Sequence, residues 1–156
     1  MTGLPARLHA TAVLLGEAGL LIRGLSGSGK TSLALALVRD AVRSGCYARL
    51  VADDVVLVEA LSGRLVARPH PTIAGKVERR GLGLLDVPHA PACVVRMIAD
   101  IGGPGGMAMA RLPEPSALLT SIAGIDLPCV SVSPAASVVE RMGVILDALT
   151  LFRAGS

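Results

Sequence analysis

The chain has 156 residues, 52% hydrophobic and 17% charged, with a net charge of +3. That size and balance exclude a disordered chain and predict a single domain, residues 1–156, around one proper core. One Tyr, one Phe and no Trp leave no stacking platform for single-stranded nucleic acid, and no basic helix or tail offers another route, so nucleic acid is not an expected partner.

The three cysteines, Cys46, Cys93 and Cys129, are far apart and lack CxxC or Cys/His spacing, which argues against structural zinc. Free thiols suit a reducing cytoplasm. The first nine residues lack a signal-peptide layout. The apolar stretch that follows is broken by Glu17 and Arg23, so no membrane span and no membrane partner are expected.

In chain order, Leu8–Leu15 and Gly19–Arg23 are apolar segments joined by Gly16-Glu17-Ala18-Gly19, a predicted β-hairpin. The second segment ends at Gly24-Leu25-Ser26-Gly27-Ser28-Gly29-Lys30-Thr31, a complete G-x-x-x-x-G-K-[ST] phosphate-binding loop. Its glycines let backbone N–H groups turn inward around a polyphosphate where a Cβ would block the approach. Lys30 supplies charge to the β and γ phosphates, and Thr31 offers a hydroxyl to Mg²⁺. Ser32 continues into a helix predicted over residues 30–44, closed by Ser44-Gly45, whose N-terminal dipole faces the phosphates. A strand before the loop and a helix after it make a chance glycine turn a poor explanation, and the loop implies a nucleoside triphosphate and Mg²⁺ as ligands.

Tyr47–Ala52 is a short apolar strand ending at Asp53-Asp54, where phosphate-loop proteins keep a Mg²⁺-handling aspartate. Neighbouring side chains diverge, so one carboxylate can face the metal while the other takes a proton from an attacking hydroxyl. The metal-side residue should point back toward Thr31. The sequence does not fix the orientation of the pair; the favoured assignment is Asp53 as base and Asp54 as the metal-side residue. Two strands follow around Leu61-Ser62-Gly63, then a loop-rich middle punctuated by Pro69-His70-Pro71. Ala92–Ile101 is a strand candidate, and Gly102-Gly103-Pro104-Gly105-Gly106 reads as a flexible loop. Leu118–Ala123 and Leu127–Val132 are further strands. Ser133 as N-cap and Pro134 at the first helical position predict the start of a last helix, on which Val138, Met142, Ile145 and Leu149 form the apolar face. The fold class is α/β, mostly β-sheet around the phosphate-loop helix, with a C-terminal helix.

His9, the loop GLSGSGKTS, Leu50–Asp54 and the block Val77-Glu78-Arg79-Arg80-Gly81-Leu82-Gly83-Leu84-Leu85-Asp86-Val87 together resemble the catalytic domain of HPr kinase/phosphorylase. The block from Glu78 to Val87 is the specific part, because many unrelated proteins share a phosphate loop. The resemblance runs from His9 to the final helix and implies the short Gram-negative form, a catalytic domain alone. It implies ATP-dependent phosphorylation of a serine on the phosphocarrier HPr of the phosphotransferase system, and the reverse phosphorolysis of phosphoserine. It also implies a ring-like homo-oligomer. Carried over by position, Lys30 binds phosphate, Thr31 and Glu78 take Mg²⁺, and His9 lies in the active site. The Asp53-Asp54 pair supplies the base, and Arg111 meets the protein substrate from a mobile loop.

The sequence departs from the family pattern at Arg79, where an apolar residue is usual, at Ala110 before Arg111, and in the Gly-Pro-Gly-Gly run. His70 and His89 read as structural. A nucleotide-responsive binding module with little turnover is the alternative reading, and a small-molecule kinase a weaker one.

Overall fold

The computed structural model describes residues 4–103, 113 and 118–154. Strands β1 (Ala6–Leu15) and β2 (Ala18–Arg23) form the predicted hairpin, with Leu15 opposite Ala18. Its turn is the pair Gly16-Glu17, with Gly16 at φ 64, and Ala18 and Gly19 already belong to the ladder. Helix α1 (Lys30–Arg43) and strands β3 (Ala48–Ala52), β4 (Val55–Leu61) and β5 (Arg64–Pro69) follow. The β4–β5 turn has Ser62 at φ 51 and Gly63 at φ 75, the positive-φ pair of a tight hairpin.

The block read as loop between residues 69 and 88 contains regular structure. A 3₁₀ turn at Pro71–Ile73 is capped by His70, whose ring nitrogen accepts from the Thr72 amide. Strands β6 (Lys76–Arg79) and β7 (Gly83–Asp86) then pair antiparallel. Strands β8 (Cys93–Ile101), β9 (Leu119–Ile122) and β10 (Ile125–Val132) and helix α2 (Val138–Ala154) complete the described elements.

The C-terminal helix begins later than predicted. Ser133 Oγ accepts from the Ala135 amide in a local turn, and the cap of α2 is Ser137, whose Oγ accepts from the Glu140 amide. No helix among the described residues is long and apolar enough to cross a membrane. The expected flexible loop falls largely on Pro104-Gly105-Gly106, outside the described residues.

The long strands β1 and β8 are shared between two layers. The first half of β1 pairs with β4 and its second half with β2 and β3. The start of β8 pairs with β5 and the rest runs parallel to β2 and β10. The central layer is therefore β3-β1-β2-β8-β10, with the helices on one face and β4-β5 on the other. Alternation divides the side chains accordingly. Leu20, Ile22, Met97 and Ala99 join Leu33 and Leu37 of α1 and Ile145 of α2, while Leu21 and Ile98 join Val56, Val58, Leu65 and Ala67. Strand β2 is buried on both faces, which explains its unbroken apolar run.

Gly19 marks the closest approach of β2 to β8. A Cβ there would lie 2.4 Å from the Val94 carbonyl oxygen and 2.8 Å from Cys93 Sγ. Gly19→Ala should therefore destabilise the fold by about 2–3 kcal/mol, because backbone must shift to admit the methyl. Thermal unfolding should drop by roughly 5–10 °C, and an unchanged midpoint would contradict the packing described.

Candidate functional site

The sheet brings its carboxyl ends to one edge. Strands β2 and β8 run parallel, and β3 runs the same way because both β2 and β3 are antiparallel to β1. The register sets Arg23 opposite Ala10 and Ala52 opposite Ala12. The chain therefore leaves β2 into residues 24–29 and leaves β3 into Asp53-Asp54 side by side, over the stretch of β1 that carries His9 and Thr11. Open α/β sheets bind ligands at such an edge.

The loop takes a tight turn for reasons visible in its glycines. A Cβ at Gly24 would lie 2.6 Å from Ser28 Oγ and 3.2 Å from Ile101, and Gly27 and Gly29 sit at φ 79 and 99. Ser28 Oγ is buried with no hydrogen-bond partner among the described residues. Lys30 is only 7% exposed and folds back over the loop, its Nζ donating to the Gly24 and Leu25 carbonyls at 3.0 and 3.1 Å.

The loop is clamped from behind by Arg141 of α2, a residue sequence reasoning passed over. Arg141 is 8% exposed, and its guanidinium donates to the carbonyls of Ser133, Pro134 and Ser28 at 3.0, 2.6 and 3.3 Å. The available signal was a lone cation three residues after Val138 and four before Ile145, on an otherwise apolar stripe.

The two aspartates diverge as expected, but in the opposite sense. Asp53 Oδ1 accepts from Thr31 Oγ1 at 2.7 Å and from Thr11 Oγ1 at 3.0 Å. Asp54 turns away at φ 66, a left-handed conformation that Asp tolerates better than most residues. Its carboxylate lies 3.1 Å from His9 Nδ1, with both side chains more than half exposed. The carboxylate that points back to Thr31 is therefore Asp53, not Asp54. Thr11, fully buried, was also missed; its signal was a hydroxyl two residues after His9 in an apolar strand.

A cavity of about 500 Å³ opens onto this edge and is lined by His9, Thr11, Lys30, Thr31, Asp54 and Glu78, together with Ser26, Gly27, Gly29, Ser32, Arg79, Arg80 and Leu82. The sequence-predicted residues His9, Lys30, Thr31, Asp54 and Glu78 thus share one space, with Asp53 behind Thr31. Arg111 lies outside the described residues.

Beside the loop, Arg23 at the end of β2 makes a bidentate pair with Asp100 of β8 at 2.7 and 2.9 Å, and that carboxylate raises the guanidinium pKa further. Burial pushes the Cys93 thiol up to about 12, and burial together with Asp100 pushes Cys129 up to about 12. Neither is a thiolate nucleophile near neutral pH.

Among the described residues no three His, Cys, Asp or Glu side chains form a ready cation cage. The donors at the edge are oxygens of a hydroxyl and of carboxylates, the set that a hard cation shared with substrate phosphates uses.

These observations define an α/β domain, mostly sheet, that carries a phosphate-loop sequence at the carboxyl edge of its central strands with an aspartate pair alongside. The chain belongs to the HPr Serine kinase C-terminal domain family, whose model matches residues 4–91. It is 40% identical over 82 residues to the HPr kinase/phosphorylase of Clostridium tetani, a match covering 53% of this chain and 25% of that protein. The enzyme of the same name from Mycoplasma mycoides is 30% identical over 82 residues, 53% of this chain and 24% of the relative. The matches span about a quarter of the length of these curated relatives. The solved structure of the Hpr(Ser) kinase/phosphatase from Coxiella burnetii superposes with a TM-score of 0.74 at 22% identity, covering 95% of this chain and 99% of that one. That likeness carries the fold.

Proposed function

We propose that this chain is the catalytic core of an enzyme that moves the γ-phosphoryl group of ATP to a serine of HPr and removes it again by phosphorolysis, within the phosphotransferase system. The observation that carries the reading is the exposed Asp54–His9 pair opening onto the same cavity as Lys30 and Thr31. The curated relatives bear the name of that activity.

The loop suits a polyphosphate: its glycines keep the cradle free of Cβ atoms, and Ser28 Oγ is a buried hydroxyl without a partner among the described residues. Thr31 and Asp53, with Glu78 from the β6–β7 hairpin, would hold Mg²⁺, which when bound neutralises phosphate charge. Lys30 swings from its loop carbonyls to the β and γ phosphates. Asp54 takes the serine proton as the serine oxygen bonds to the γ phosphorus and the β–γ bridge breaks, releasing ADP. In reverse, inorganic phosphate attacks phosphoserine and protonated Asp54 returns the proton to the departing serine oxygen, leaving pyrophosphate. His9 orients the Asp54 carboxylate. Arg111 enters the proposal from the resemblance alone, as a contact to HPr.

Exposed apolar residues on α2, Val139 and Leu151 foremost, support a homo-oligomer, and free thiols support a cytoplasmic setting.

The test is incubation with labelled ATP, Mg²⁺ and HPr. Acid-stable phosphoserine on HPr is the expected product. Tight nucleotide binding without any transfer would favour the binding-module alternative. Glu78→Gln should raise the Mg²⁺ needed for half-maximal transfer about tenfold, since an amide keeps the shape but loses the charge a hard cation prefers. Mg²⁺-free nucleotide binding should be unaffected. An unchanged Mg²⁺ titration would return Glu78 to an ordinary solvated charge.

A further inference from the structure

We infer that Arg79 is the side chain that takes the α-phosphate of the bound nucleotide, an assignment that rests on the nucleotide-site reading above. Strand β6 alternates so that Arg79 shares a face with Val77, which is 1% exposed and packs in the same core as Leu33 and Leu37 of α1. That face delivers the Arg79 guanidinium to the first turn of α1, where Nη1 donates to Ser32 Oγ at 3.1 Å.

The neighbouring Thr31 hydroxyl points instead to Asp53 at 2.7 Å. Successive helical residues diverge by about 100°. The N-terminus of α1 thus has a carboxylate on one flank and a guanidinium on the other.

The electrostatics of that second flank are unbalanced. The Leu33 amide bonds to the Gly29 carbonyl, so the Lys30, Thr31 and Ser32 amides precede the first intrahelical bond and add positive partial charge. The first turn of α1 contains no acidic residue. Among the described residues Arg79 has no carboxylate partner, and the acceptor it reaches, Ser32 Oγ, is neutral. A cation held at a helix N-terminus without a counter-charge is disfavoured unless an anion sits between them. A guanidinium has five N–H donors in a planar fork that matches a phosphate, and among the described residues only one is engaged. Both Arg79 and Ser32 line the cavity that Lys30 enters.

The position along the polyphosphate follows from the loop. Lys30 serves the β and γ phosphates, and the loop amides serve the α and β phosphates. Ser32 lies one residue beyond Thr31, and Arg79 meets the helix there, whereas Asp53 meets it at Thr31. It therefore meets the α-phosphate, the one farthest from the transferred group, and acts on nucleotide affinity rather than on the chemical step.

Calorimetric titration of MgADP and of inorganic pyrophosphate into the wild type, Arg79→Met and Arg79→Lys tests this, with Lys30→Ala as reference. Arg79→Met keeps the stem and should weaken ADP binding about tenfold to a hundredfold, the scale of a lost charge-assisted contact. Arg79→Lys should fall between, because it keeps the charge without the fork. Pyrophosphate, held at the β and γ positions, should change less than about threefold in either variant. Unchanged ADP affinity in a folded Arg79→Met overturns the inference, as does an equal loss for pyrophosphate. Failure of the wild type to bind either ligand overturns the nucleotide-site reading itself, and the inference with it.

Discussion

Lys30→Ala should abolish phosphoryl transfer in both directions while the fold survives. The side chain is buried in the loop it serves, its ammonium held by the Gly24 and Leu25 carbonyls. Those two bonds hold the charge against the loop. Removing a preorganised charged contact to the transferring group costs on the order of 3 kcal/mol or more in the barrier, a hundredfold or greater loss in rate. The stability cost should be about 1 kcal/mol, because the lost hydrogen bonds are local to the loop and α1 remains packed through Leu33 and Leu37. Labelled-ATP transfer to HPr and phosphorolysis of phosphoserine-HPr would be measured beside thermal unfolding. A well-folded mutant that turns over near the wild-type rate in either direction removes this site from the chemistry.

The parts legible in the sequence are those whose causes are local. A strand, a glycine loop and a helix opening on Lys-Thr announce themselves within twenty residues, and the first hairpin and the aspartate pair do so within fewer. The start of α2 differs from the sequence expectation because Ser133-Pro134 obeys the local rule for a helix start, while a distant residue overrules it. Arg141 draws the Ser133 and Pro134 carbonyls to its guanidinium, which holds that segment out of helix and hands the cap to Ser137. The sequence alone reads the β6–β7 hairpin as loop because Val77 is buried in the core while Leu82 and Leu84 face solvent, which leaves too little alternation to mark paired strands. The sequence offers no cue to the role of Arg79 beyond a basic cluster and a departure from a pattern, since its contact with Ser32 spans 47 residues. The sense of the aspartate pair is set by a positive φ at Asp54, which no residue type requires there.

That reversal gives the sharpest expectation for the site. Asp53 sits among hydroxyls, accepting from Thr31 and Thr11, where an amide oxygen could still accept both bonds. Asp53→Asn should therefore fold normally and lose only charge, and with it the Mg²⁺ dependence of nucleotide binding, by about tenfold. Asp54 is exposed, paired with His9 and open to the cavity. Asp54→Asn should bind MgATP within about threefold of the wild type yet lose both reactions by roughly a hundredfold to ten-thousandfold, the range of a missing general base. Both directions must fall together, because the carboxylate that accepts the serine proton on the way forward is the acid that returns it on the way back. Nucleotide binding by calorimetry with and without Mg²⁺, alongside both transfer assays, separates the two roles. If Asp53→Asn is the mutant that binds MgATP normally but is inactive, the base is Asp53 and the contacts with Thr31 and Thr11 describe only the resting loop. If both mutants keep full rates in both directions, the pair is a solvated turn, and the chain is a nucleotide-binding module rather than an enzyme.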